Sequence, residues 1–279
     1  MRNRNFKSTA LKTRDAHASM VSPAVFYKMH EGTGLAIADS LGNGPDFTVS
    51  AGTPLATNVG FFTPPASNTT VWAACSVIED ADAYLRTLFD FATPYSNILI
   101  GLDYEQGADI ATGNTLFSMG KPLTGIFALK INSSEIPNLI YRGVGSSTNQ
   151  TINFVSDLTG TGRSQLLLDI ARTGTNTFTA SLYINGALAA SAAGDWTNSS
   201  GTGPLAAGNF GDGWAIGGLV QTTIGATKTE LVNAGAGTDA KLGRLFAARL
   251  ETSHAGIAQA VALDLWRDRG DFPRSLIGL

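Results

Sequence analysis

Two acidic clusters have the residue types that glycoside hydrolysis requires: Glu79-Asp80-Ala81-Asp82, and Asp103-Tyr104-Glu105 with Asp109. A retaining hydrolase holds two carboxyl groups about 5–5.5 Å apart, one as nucleophile and one as acid. Asp103 and Glu105 would share one face of a strand, because alternate residues do. Neither cluster extends further in step, since Gly101 stands two before Asp103 and Leu85 three after Asp82. Asp39, Asn43 and Asp46, set around Gly42 and Gly44, make an oxygen-rich cluster of the kind that holds Ca2+. The same residue types build turns, and the turn is the favoured reading.

Other chemistries find less support. His17, His30 and His254 are too scattered for a metal ligand set or a nucleophile–base pair. Cys75 is the single cysteine, so the chain has no internal disulfide or thiolate zinc site, and within VWAACSVI it reads as a small buried hydrophobe. The glycines of Glu31-Gly-Thr-Gly and Gly211-Asp-Gly do not open a helix after a strand, which argues against a phosphate cradle. Sugar recognition would use aromatic faces with polar neighbours. Trp196 and Trp214 flank a Gly-rich segment with Phe210 between them, and these three are the candidate glycan-binding residues.

The elements that would position these groups are short strands. From Thr177 the sequence reads TFTASLYINGALAAS, with Phe178, Ala180, Leu182 and Ile184 alternating against Thr179, Ser181 and Tyr183. Asn185-Gly186 follows, and both residues tolerate the positive φ of a two-residue type I′ hairpin. Further strands are expected at 24–29, 47–50, 71–78, 98–104, 115–119, 126–132, 138–142, 152–155, 165–171, 214–219 and 244–251. They are separated by Gly, Pro, Asn and Ser clusters. Residues 79–91 read as a short helix. A second helix follows Ser253 as its cap, with Ile257, Val261 and Leu265 in an i, i+4, i+8 stripe and Pro273 beyond its end.

Composition narrows the class. The 279 residues suffice for one large all-β domain, and 32 glycines suit many turns. Charged residues make up 15% and the net charge is −3, which gives no general field for nucleic acid or an anionic membrane. The first 14 residues nevertheless carry Arg2, Arg4, Lys7, Lys12 and Arg14 and no acid, so residues 1–22 read as a basic arm that anchors on a partner. No apolar run follows the basic start as a signal peptide would need, and none approaches the ~18 residues of a membrane span. A soluble protein made in a cytoplasm is expected.

Three segments carry a family resemblance. AVFYKMHEGTGLAIADSLGNGPDFTVSAGTP, the LYINGALAAS hairpin, and the closing strand, helix and Pro273-Arg-Ser-Leu-Ile-Gly278 tail together resemble laminin-G-like domains. These belong to the concanavalin A-like lectin/glucanase superfamily, and the tail is most similar to the versions in bacteriophage particle proteins. The resemblance implies a concanavalin A-like jelly-roll β-sandwich of about 12 or more antiparallel strands over residues 23–279, with a short C-terminal helix behind the extended N-terminal arm. It also implies a search for the E-x-D-x-x-E carboxylates of the glucanases, which this sequence lacks. The expected function is a non-enzymatic virion structural or decoration protein, tethered by its arm to other virion proteins and homo-oligomeric. Two alternatives stand beside it: an adhesin for host surface glycans, and a glycoside hydrolase.

Overall fold

In a computed structural model of the chain, the structure describes residues 24–28, 36–48, 61–62, 74–75, 95–105, 114–121, 125–132, 134–143, 149–154, 158, 162–199, 214–216, 219–222, 229–232 and 241–267. The basic arm and the expected helix at 79–91 lie outside them. The described strands, in chain order, are β1 (Ala24–Tyr27), β2 (Ala36–Ile37), β3 (Phe47–Thr48), β4 (Phe61–Phe62), β5 (Ala74–Cys75), β6 (Asn97–Glu105), β7 (Asn114–Lys121), β8 (Gly125–Ile131) and β9 (Pro137–Arg142). They continue with β10 (Gln150–Asn153), β11 (Arg163–Arg172), β12 (Thr177–Ile184), β13 (Ala187–Asp195), β14 (Trp214–Ile216), β15 (Leu219–Thr222), β16 (Thr229–Val232) and β17 (Lys241–Leu250).

All pairings are antiparallel. A seven-stranded sheet runs β1-β17-β6-β11-β12-β13, with β4 also on β17. An eight-stranded sheet runs β10-β9-β8-β7-β14-β5-β3-β2, and β15 pairs β16 in a separate ribbon. The two large sheets face each other across one apolar core that includes Ile100, Leu102, Leu168 and Phe178 from the first and Phe117, Phe127, Leu129 and Leu139 from the second. This is the jelly-roll β-sandwich that the resemblance implied.

The seven-stranded sheet is covered on both faces over β1, β17, β6 and β11. The helix Ile257–Arg267 packs Ile257, Val261, Ala262 and Leu265 onto Leu99, Leu167, Phe246 and Ala248 on the side away from the core. That is why β6 is buried along eight of its nine residues and reads as a continuous apolar run rather than an alternating one. Gly101 is the contact point: a Cβ there would come within 2.6 Å of Leu265 Cδ1. The expected stripe is present, but Ser253 is not the cap. The helix starts at Ile257 after a turn through Gly256 (φ 75°), in which Ile257 N–H donates to the His254 carbonyl.

The hairpin forms as its sequence requires. Asn185 and Gly186 have φ of 52° and 82°, the type I′ geometry. Asn185 Oδ1 accepts from Gln165 N–H at 2.8 Å, which ties the turn to the neighbouring strand. Phe178 lies opposite Gly194 across the ladder, and a Cβ on Gly194 would fall 2.2 Å from the ring.

Candidate functional site

Asp103 serves the fold. Asp103 is buried, and both its oxygens are taken by guanidinium groups. Oδ2 accepts from Arg163 Nη2 at 2.7 Å and Arg244 Nε at 2.8 Å, and Oδ1 accepts from Arg244 Nη2 at 2.8 Å. Arg244 also donates to the Leu265 carbonyl in the last turn of the helix, so the group clamps the helix to the sheet. A buried carboxylate neutralised by two guanidinium groups is a poor nucleophile and serves as a structural counter-charge. Asp109 and the cluster at 79–82 lie outside the described residues.

The Asp39 cluster is a turn. Its carboxylate accepts four backbone N–H bonds: from Phe26 and Leu41 to Oδ1, and from Asn43 and Gly44 to Oδ2. Lone pairs directed at four amide donors are not presented to a cation, while Asn43 and Asp46 stay exposed. Among the described residues no group of three or more His, Cys, Asp or Glu could hold a metal ion.

Trp196 requires a correction as a glycan-stacking residue. It is 1% exposed, enclosed by Phe178, Tyr141 and Phe127 with centroids at 4.8, 5.3 and 6.1 Å. The chain leaves β13 into a short 3-10 turn, Trp196–Ser199, and this directs the indole into the sandwich. Trp214 lies on β14 opposite Met119. Phe210 and the arm residues Arg2, Arg4, Lys7, Lys12 and Arg14 fall outside the described residues.

A different face gathers polar groups. Along β8, Phe127, Leu129 and Ile131 enter the core, so Ala128 and Lys130 lie on the outer face of the eight-stranded sheet. The ladder places Thr115 of β7 and Asn138 of β9 on either side of Lys130, with Asn153 of β10 next in the row. Ile140 and Arg142 continue the same face of β9. Ser118 and Ala128 point away from the core yet have no exposure, and β15 lies against β7, so this end of the face is covered. Toward β10 it opens, with Thr151 and Asn153 exposed.

The polar side chains of this row are largely buried. Thr115 is 2% exposed and Asn138 8%. Thr115 Oγ1, Asn138 Oδ1 and Arg142 Nε are buried without a hydrogen-bond partner. A buried polar atom left unpaired costs about 1–3 kcal/mol, so three on one face make it the candidate site among the described residues. Burial lowers the pKa of both Lys130 and Arg142, and no carboxylate among the described residues acts against it. No individual residue in the sequence marks this site. The available signal is collective: β7 to β10 contain no acid, yet include Lys121, Lys130 and Arg142, in a chain whose net charge is −3.

No family model matches the chain. No curated protein matches it either. Solved structures do share its fold. The botulinum neurotoxin type G receptor-binding domain is similar with a TM-score of 0.53 and 12% identity, covering 89% of this chain and 51% of that one. A botulinum neurotoxin type C structure, of a toxin whose cell entry depends on interaction with two ganglioside molecules, gives 0.52 and 13%, covering 90% and 52%. The serotype D binding domain gives 0.50 and 10%, covering 88% and 50%. This chain therefore spans about half the length of the structures it resembles, and at such identities the likeness is one of fold: a lectin-like jelly-roll sandwich.

Proposed function

We propose that this chain is a non-catalytic glycan-binding domain that holds its ligand on the outer face of the eight-stranded sheet. The observation that carries the reading is the presence on one face of Thr115 Oγ1 and Asn138 Oδ1, flanking Lys130, and of Arg142 Nε farther along β9, all three buried and unpaired. Sugar hydroxyls both donate and accept, and so match a mixed set of this kind. Ile140, half-buried in the middle of the face, adds apolar surface for a pyranose ring. The fold shared with toxin binding domains, one from a toxin whose cell entry depends on gangliosides, is in keeping with this use. The reading as a particle-tethered structural protein depends on residues 1–22, which lie outside the described residues, and no observation here favours it over glycan binding.

The test separates a binding role from a structural one. Thr115→Val and Asn138→Leu keep size while removing oxygens that bond to nothing in the free protein. Removing an unpaired buried polar group is neutral or stabilising, whereas removing a ligand contact weakens binding. The expected result on a glycan array, followed by titration calorimetry, is affinity reduced about 5- to 10-fold with an unchanged or higher thermal midpoint. Unchanged binding combined with a lowered midpoint would show these oxygens to be structural and remove the site.

A further inference from the structure

We infer that the ligand of this face is an acidic oligosaccharide, its anionic group seated against Lys130 and its chain running along β9 toward Arg142. The inference rests on the glycan-binding reading and specifies its ligand. Lys130 stands between Thr115 and Asn138 in the ladder, so its ammonium leaves the sheet within a row whose neighbours supply an unpaired hydroxyl oxygen and an unpaired amide oxygen. Arg142 lies four residues beyond Asn138 on the same face, roughly 13 Å along the strand, with Ile140 between them. A site two or three sugars long fits between the two cations.

Charge completes the argument. Strands β7 to β10 hold no Asp or Glu. The acid nearest in sequence is Glu135, in the turn joining β8 to β9; its Oε2 is buried and makes no hydrogen bond, and it forms no ion pair with either cation. Lys130 and Arg142 have thus lost part of their water without gaining a counter-charge from the described residues. Two half-buried cations in that condition are stabilised by any anion that displaces the remaining water, and a neutral sugar cannot supply one. Covered on the β7 side and open at β10, the face admits such a ligand from one direction.

The experiment uses the full chain and glycan pairs differing only in charge. The pairs are sialyllactose against lactose, and oligogalacturonate against its methyl ester, with heparin oligosaccharides representing sulfate. The expected result is binding to an acidic member that exceeds its neutral counterpart by at least 10-fold. Lys130→Gln should weaken that binding about 10- to 100-fold and Arg142→Gln less, with thermal midpoints near wild type. If Lys130→Gln does not fold, wild-type binding must still weaken as salt rises from about 50 to about 500 mM, and salt-independent binding overturns the inference. Equal binding of acidic and neutral members that survives Lys130→Gln but falls in Thr115→Val overturns the acidic ligand and leaves glycan binding standing. No binding to any glycan overturns both.

Discussion

Asp169 offers a quantitative test of the packing on the helix side of the seven-stranded sheet. It sits on β11 opposite Leu99 and Ser181, buried beside residues that the helix covers, and accepts one hydrogen bond of 2.7 Å from Asn97 Nδ2. Burial pushes its pKa from 3.8 up to about 6, with the Asn97 bond only partly opposing it. The folded state therefore holds this proton more tightly than the unfolded chain does. Between pH 3.8 and about 6 the folded protein binds more protons than the unfolded one, so the contribution to stability is present below pH 3.8 and lost as pH rises through about 6. At ~1.4 kcal/mol per pH unit, the gap of roughly 2 units amounts to about 3 kcal/mol. Asp169→Asn keeps the shape and the oxygen that Asn97 bonds, and it cannot ionise. The free energy of the variant minus that of wild type, from urea unfolding, should rise by about 2–3 kcal/mol between about pH 3 and about pH 7.5. Taking the difference removes the titration of every group that the two proteins share. A second readout is Tyr183, whose phenol is raised by burial and then by the Asp169 charge, and which should titrate lower in the variant. A stability difference that is flat with pH would mean Asp169 titrates as an exposed acid, and the description of this face would be wrong.

Two further outcomes follow from named contacts. Asp103→Ala removes the carboxylate that Arg163 and Arg244 share and loosens the clamp on Leu265, so it should cost about 3–5 kcal/mol in chemical unfolding and speed hydrogen exchange in 257–267; a loss below about 1 kcal/mol would show the ion pair to be incidental. Gly194→Ala drives a methyl group into the Phe178 ring and should lower stability by about 1–3 kcal/mol, whereas a neutral result would place that ring elsewhere.

Features governed by near neighbours in the chain were legible without a structure. Asn185-Gly186 determines its hairpin because two residues with accessible positive φ suffice to turn the strands, and the alternation of Phe178 to Ile184 sets which side chains face inward. The stripe Ile257, Val261 and Leu265 determines a one-sided helix for the same reason, although the turn through Gly256 moved its start beyond Ser253. Side-chain partners were decided only when distant strands came together. Asp103 resembled half of a catalytic pair until Arg244, 141 residues away on the neighbouring β17, met it. Trp196 carried the composition of a sugar platform, but the bend after β13 turned it against Phe127 and Tyr141 of the opposite sheet. The candidate face is the clearest case: Thr115, Lys130 and Asn138 become one row through ladder register, and their oxygens become significant only once burial removes water from them. Periodicity states which face of its own strand a residue occupies; which residues from other strands share that face depends on register and on what covers it, and these are properties of the assembled sandwich.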